Sequence, residues 1–335
     1  MLPSGLSHLE GSGATELVVL TSRDSKRPRR PSQGPRSRRK SPGFAATHSA
    51  QPSPVSPEKK DRALLIRVDG PETGQVFAIA GDGLTLGRQP DTDLRIDELG
   101  VSRRHARIRR VDAHYEIEDL GSHNGTYVSG KRVKSVTLAE GSLIQIGSQA
   151  SFRFTRTTHE HEQLLRQLYE FSTRDALTGV YNRRHFDERL RSELAFATRH
   201  NTPLGLILLD VDRFKQINDV YGHLGGDNVL TEVARRLVHM LRGEDLVARY
   251  GGEEFAVLLR SSGIPGCVHA AERLRAAIEE APCPAGDREV SITISGGCAS
   301  LGECDAPTAV ALISLADERL YAAKKGGRNR IVADG

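Results

Sequence analysis

The sequence has too few cysteines, in the wrong places, for a disulfide scaffold or a zinc ribbon. Only Cys267, Cys283, Cys298 and Cys304 occur, spaced 16, 15 and 6 residues apart, so no C-x-x-C pair exists and a reducing compartment is implied. Long apolar runs are missing as well. No run of Leu, Ile and Val exceeds the four of Leu206–Leu209, far short of the ~20 apolar residues a membrane-spanning helix needs. No early stretch couples a basic start to an apolar core, so neither a secretory leader nor membrane insertion is expected, and a cytoplasmic location is. The 335 residues leave room for about two domains.

Acidic residues are scarce at one end. Residues 1–61 hold 11 Lys/Arg against 5 Asp/Glu, a balance of +6, while the whole chain carries +4, so 62–335 carry −2. The same segment contains 8 of the 15 prolines and 11 serines. It cannot bury enough apolar surface to offset ordering entropy, and a disordered basic tail is expected over 1–61. A solvated flexible arm is the preferred reading of Lys26–Arg30 and Arg36–Lys40. Contact with nucleic acid, anionic lipid or an acidic partner is the lesser one. Serines beside the arginines also suit a kinase substrate.

From Arg62 to about Thr155 no 3.6-residue apolar stripe is present. Instead, runs such as Leu64–Val68, Gln75–Ile79, Leu84–Leu86, Ala106–Ile108, His114–Ile117, Thr126–Val128 and Leu143–Ile146 alternate with Gly, Asp and Asn turns. This rhythm predicts an all-β sandwich over 62–155 with function in its loops. The period then turns helical. Leu164, Leu165, Leu168 and Phe171 form a stripe on a linker helix over 156–172, one that pairs with its copy in a second chain or packs on its own domain. Beyond it, a buried strand Leu204–Leu209 precedes a helix marked by Val229, Leu230, Val233, Leu237 and Leu241. A hairpin follows around Gly251-Gly252, then a helix near Val268–Glu279, a strand Val290–Ser295 and a helix Ala311–Lys324. Together these predict a mixed-sheet α/β domain over 173–335 with helices on both faces.

Asp210 ends the aliphatic strand, with Asp212 two residues on, and Glu253-Glu254 sits at the hairpin turn. A carboxylate at the end of an apolar strand is costly unless paired or holding a cation. If the two strands are neighbours, Asp210 and Glu253 converge, and hard oxygen ligands with open positions suit Mg²⁺ carrying a nucleotide polyphosphate. The glycines let phosphate or ribose approach the backbone. Taken singly, acidic residues at turns are more often merely solvated.

The run Leu209–Asp219 with Tyr221-Gly222-His223, Gly226-Asp227 and Arg249–Phe255, the opening motif Asp175–Arg184, and the ending Ala316-Asp317, Leu320-Tyr321, Ala323-Lys324 and Gly327–Arg330 closely resemble the GGDEF family of diguanylate cyclases. The resemblance covers roughly 173–332, in the family's order, and implies a nucleotidyl cyclase-like fold. It implies that two subunits, each holding one GTP, face each other as a homodimer. The 3′-hydroxyl of one GTP attacks the α-phosphorus of the other, expelling pyrophosphate, and a second symmetric step gives cyclic di-GMP. It further implies that Asp210, the Val211 carbonyl and Glu253 bind Mg²⁺ (or Mn²⁺), with Glu253 activating the nucleophile through its metal and Glu254 near the ribose. Asn218 and Asp227 would read the guanine edge. Phe214 and Lys215 fall in a loop expected to reach the phosphates through backbone and side chain. Lys324 and Arg328, one helical turn apart, would clamp the triphosphate, and Gly251 and Gly252 would leave the nucleotide room. Glu253 is an accepted variant of the usual Asp, and Asp227 is intact, which favours the symmetric product. Arg242-Gly243-Glu244-Asp245 lies where the family places its R-x-x-D product-inhibition site, with Arg273 as a secondary contact. A chance match forming a local ion pair is the competing reading.

In the sandwich, Gly87-Arg88, Ser102-Arg103-Arg104-His105 and Asn124-Gly125-Thr126 come from separate loops, a set that suits a phosphate dianion. Their order resembles the forkhead-associated (FHA) domain, a reader of phosphopeptides. The resemblance implies that Arg88 and Ser102 contact phosphothreonine on a protein partner, Arg103 assists, Asn124 holds the peptide backbone and His105 is structural. The chain thus reads as a cyclase controlled or localised by phosphothreonine and by its own product. A non-catalytic cyclic di-GMP or GTP sensor and a phosphopeptide-binding scaffold are the alternatives.

Overall fold

The computed structural model describes residues 60–334 apart from 99, 148 and 149. The expected tail lies outside the described residues, save its last two. From Arg62 to Thr157 two sheets stack face to face. One runs, in spatial order, Val76–Ala78, Arg62–Arg67, Ala150–Thr157, Leu143–Ile146, Thr126–Val128, Lys131–Val133; the other runs Leu94–Arg95, Gly83–Gly87, Ala106–Val111, His114–Asp119, Ser135–Leu138. Leu65, Leu86, Ile108, Ile117, Ile144, Phe152 and Phe154 fill the space between them at 1% exposure or less, the inward half of each alternating strand. First and last strands pair antiparallel, Arg62 opposite Thr157.

The helix His159–Thr173 follows, its start capped by Thr158, whose hydroxyl accepts the His161 N–H. Arg166 donates to the Val76 carbonyl at 3.0 Å, fastening one side of the helix to the sandwich. Of the stripe only Leu165 is partly buried; Leu164 and Leu168 are half exposed and Phe171 is 79% exposed.

The second sheet system has six strands in the order Tyr181–Asn182, Leu246–Arg249, Glu254–Arg260, Leu204–Val211, Ile294–Ser300, Ile331–Val332. Its four inner strands are antiparallel and its edges parallel. Every residue of Leu204–Val211 is buried, because both faces are covered. Leu204, Leu206 and Leu208 meet helices Arg183–His200 and Ala309–Lys325. Ile207, Leu209 and Val211 meet helices Phe214–Met240 and Ile264–Glu280.

The strand expected at Val290–Ser295 is corrected. Val290 closes a small hairpin, Cys283–Ala285 with Arg288–Val290, and the sheet strand is Ile294–Ser300. Its Gly296-Gly297 pair hides it, since glycine lowers strand propensity. The reason for glycine is steric: a Cβ at Gly297 would lie 2.1 Å from the Ala316 carbonyl oxygen of the covering helix.

The sandwich and the α/β layer touch through ion pairs. Arg260, held within its own layer by Glu193 (2.8 Å), bonds Asp97 of the sandwich (2.7 Å), and Arg189 reaches Glu72. Among the described residues no helix is long and apolar enough to cross a membrane.

Candidate active site

The register between Leu204–Val211 and Glu254–Arg260 sets Asp210 opposite Glu254, and the Val211 N–H donates to the Glu253 carbonyl at 3.2 Å. Asp210, Val211, Glu253 and Glu254 are therefore adjacent, as their convergence at the hairpin requires. Asp210 is 7% exposed and its Oδ2 accepts from Lys324 Nζ at 2.7 Å. Burial pushes its carboxyl up to about 6. The Lys324 ammonium pulls against that, and the charges of Glu253 and Glu254 add to it. The Glu254 carboxylate folds back over Gly251, where a Cβ would sit 2.5 Å from Oε2, while Gly252 faces open space.

Beyond the strand, Arg213 turns left-handed (φ 56°, ψ 30°) and starts the helix Phe214–Met240, which Gly222 (φ 73°, ψ 169°) breaks. Phe214 and Lys215 thus lie in a helical first turn rather than a loop. Phe214 is 9% exposed and packs in the core, so its side chain is unavailable to a ligand, whereas Lys215 is exposed. Past the break, Gly226 brings two segments together: a Cβ there would lie 1.9 Å from Asn218 Oδ1. Asn218 and Asp227, both partly exposed, are thereby held close.

Lys324 and Arg328 are not one helical turn apart on a continuous helix. The helix ends at Lys325, Gly326 caps it, and Arg328 is left-handed (φ 67°). The loop nevertheless returns Arg328 to the same region, its Nε 4.0 Å from Asp212 Oδ1.

The R-x-x-D segment is a closed turn, with the Arg242 N–H donating to Asp245 Oδ2 and the Asp245 N–H to the Arg242 carbonyl, both at 3.1 Å. The Arg242 side chain is exposed and lines a cavity of about 250 Å³ with Glu244, Arg260 and Phe196. Arg273 donates to the Met240 carbonyl, two residues from Arg242.

In the sandwich, Gly87 lets its strand lie against the loop carrying Arg103, whose carbonyl oxygen would be 2.2 Å from a Cβ, and the Arg88 N–H donates to the Ser102 carbonyl at 3.0 Å. His105 Nδ1 accepts the Ser102 N–H (3.1 Å), leaving Nε2 to donate to the Gly125 carbonyl (3.1 Å). Burial lowers its pKa and keeps it a neutral brace. The Ser102 hydroxyl accepts the His123 N–H at 3.0 Å and Asn124 Nδ2 donates to the Gly100 carbonyl at 2.8 Å. These bonds gather Arg88, Ser102, Arg103 and Asn124 at one end.

A sequence model described as "Diguanylate cyclase, GGDEF domain" matches residues 172–330, and the FHA domain model matches 84–147. Diguanylate cyclase DosC of Escherichia coli is 35% identical over 222 residues, which cover 64% of this chain and 46% of that protein. Residues 172–330 are a GGDEF domain. An FHA domain stands ahead of its GGDEF domain. Response regulator PleD of Caulobacter vibrioides is 42% identical over 166 residues, 49% of this chain and 36% of that protein. The chain thus spans about half the length, or less, of these relatives. The coiled coil and GGDEF domain of DgcB from Caulobacter crescentus, in complex with c-di-GMP, is similar at 31% identity and a TM-score of 0.49, covering 52% of this chain and 92% of that one.

Within the GGDEF domain, side chains to which sequence reasoning gave no role brace the site. Asp175 accepts from the Thr178 hydroxyl (2.6 Å) and N–H (2.9 Å) and from Arg249 (3.2 Å). Arg249 in turn donates twice to the Gly252 carbonyl, at 3.1 and 2.8 Å. The opening motif therefore grips the hairpin turn that bears Glu253. Its signal was the motif's own Asp175 and Arg249, unreadable without knowing that the strands Tyr181–Asn182 and Leu246–Arg249 pair.

Proposed function

We propose that the chain is a diguanylate cyclase that condenses two GTP into cyclic di-GMP and two pyrophosphates. The observation that carries this reading is the convergence of Asp210, Val211, Glu253 and Glu254 beside Lys324 at the end of one strand. Two carboxylates and a carbonyl are hard oxygen donors, and Mg²⁺ is commonly held by one or two carboxylates with substrate phosphates. The Asp210 carboxyl is raised first by burial and further by the charges of Glu253 and Glu254, a penalty that a bound cation relieves, so the residues fit such an ion, with Asp210, Val211 and Glu253 as its ligands. A bound divalent cation, Mg²⁺ or Mn²⁺, would neutralise charge on the phosphoryl oxygens and ease ionisation of the attacking hydroxyl.

Asn218 and Asp227 read guanine. The first helical turn at Phe214 and Lys215 offers backbone N–H groups, and Lys215 its ammonium, to the phosphates, joined by Lys324 and Arg328. Gly252 leaves the nucleotide space, while the missing side chain of Gly251 makes room for the Glu254 carboxylate, which lies by the ribose. The 3′-oxygen of one GTP attacks the α-phosphorus of the other; the bond to the bridging oxygen breaks and pyrophosphate leaves, with Glu253 assigned to activating the hydroxyl. Since each chain supplies one half-site, two copies must meet. Leu164, Leu168 and Phe171, exposed at i, i+4 and i+7, support a helix seam between them. Arg242, Asp245 and Arg273 form the product-inhibition site. Arg88, Ser102, Arg103 and Asn124 bind a threonine-phosphorylated partner, which controls or localises the enzyme in the cytoplasm. The corresponding division is sandwich 62–155, linker 156–172 and cyclase 173–335.

Incubating the full chain with GTP and Mg²⁺ and weighing the product tests this reading. Cyclic di-GMP is expected, and Asp210→Asn or Glu253→Gln should each slow its formation by about 100-fold or more with the fold retained. Near-normal turnover in both variants overturns the assignment.

A further inference from the structure

Asp212 follows Asp210 by two residues yet is engaged by different partners. It is 6% exposed. Oδ1 accepts from the Ser295 hydroxyl at 2.7 Å. Oδ2 accepts from the Thr293 hydroxyl at 2.7 Å and from the backbone N–H of Asn329 at 3.0 Å. The N–H of Asp212 itself donates to the Thr293 carbonyl at 2.9 Å. A buried carboxylate so completely bonded is a fixed anchor.

What it anchors is an unfavourable loop. Gly327, Arg328 and Asn329 take φ of 113°, 67° and 45°, three consecutive residues in a region that only glycine enters freely. Such a stretch persists only when its surroundings hold it. Asn329 is held from two sides: its N–H is on Asp212, while its side chain accepts from Arg275 (2.8 Å) and donates to Glu279 (2.7 Å). Arg328, between them, projects a 44% exposed side chain with Nε 4.0 Å from Asp212 Oδ1.

We propose that Asp212 is a positioning residue for the triphosphate: by pinning the 327–329 loop and facing the Arg328 guanidinium, it presents that cation beside Lys324. This rests on the reading of Lys324 and Arg328 as phosphate-binding residues. A buried carboxylate that only stabilises the fold would act without regard to Arg328, and that difference is measurable.

The test titrates guanosine 5′-(α,β-methylene)triphosphate with Mg²⁺ into the full chain by calorimetry, alongside GTP kinetics. Absence of binding by the parent defeats the proposed function itself and is distinguishable from failure of this inference. Asp212→Asn is expected to weaken the analogue by about tenfold, and to raise KM for GTP by a similar factor with kcat changed much less. In an Arg328→Ala chain the same substitution is expected to cost less than about twofold, since the residue it acts through is gone. Parent-like binding by Asp212→Asn, or a loss undiminished in the Arg328→Ala background, overturns the proposal. Should Asp212→Asn fail to fold, the isosteric Thr293→Val takes its place. An expected loss of about threefold, again absent without Arg328, supports the inference, and no loss, or one that persists, overturns it.

Discussion

Asp210 carries the plainest conflict in the molecule. A carboxyl whose pKa is raised on folding favours the folded state below its ordinary 3.8 and loses that advantage as pH climbs through about 6. Asp210→Asn should therefore gain about 1–3 kcal/mol over the parent near pH ~7.5 with divalent ions chelated, and lose most of the gain near pH ~4.5. Denaturant unfolding at the two pH values checks this, and a variant less stable than the parent at the higher pH would refute the cost of burying that charge. In the sandwich, Arg88 is the counterpart. A phosphate carries about −1.5 to −2 charge at pH 7 and draws much of its grip from guanidinium groups. Arg88→Ala should abolish binding to a phosphothreonine peptide while cyclase turnover without peptide stays near the parent's, because Arg88 lies on the sandwich and outside the nucleotide site. Calorimetry with phosphothreonine, phosphoserine and unmodified peptides decides it: equal binding to all three, unaffected by the substitution, would leave the sandwich a packing module.

Among the elements, the strand Ile294–Ser300 packs tightly against the helix that covers it. Gly297→Ala would press a methyl into the Ala316 carbonyl and the Leu320 nitrogen, at 2.1 and 2.3 Å. A cost of about 1–3 kcal/mol or more follows from overpacking. Gly302→Ala, with nothing within 4 Å, should be near neutral, and equal denaturation midpoints for the two would contradict the packing. The same strand shows where legibility stops. Leu204–Val211 can be read from sequence because an unbroken aliphatic run has few other uses. Ile294–Ser300 cannot, because the contact that demands glycine lies on a helix about twenty residues away, and glycine alone looks like a turn. The acidic cluster is legible in its places at a strand end and a hairpin turn and in the motifs that resemble the GGDEF family, but the opposition of Asp210 to Glu254 depends on strand register. Phe214 looked like a loop residue because the left-handed Arg213, which starts the helix there, carries no local signal. Asp210 and Asp212 are chemically the same and two apart; only the fold sends one to Lys324 and the other to the Asn329 backbone.

For the whole molecule, the exposed stripe on His159–Thr173 is where two copies should meet. Phe171→Glu puts a charge in that seam, and should shift the protein toward monomer at micromolar concentration and make cyclase rate rise more steeply than linearly with protein. Sedimentation and a concentration series read both effects, and an unchanged oligomeric state would remove the seam. One further consequence follows from the pairing of Arg62–Arg67 with Ala150–Thr157. Because Arg62 stands opposite Thr157, the chain enters the sandwich beside the point where it leaves, and Arg156 and Arg62 tie that corner by bonds to the Lys60 carbonyl (3.2 Å) and His159 (3.4 Å). In mechanical language this is unzipping geometry. A pull between residue 60 and the linker helix loads the rungs of the ladder one at a time instead of together, so under tension the sandwich opens at this corner well below the force needed to shear the same strands lengthwise.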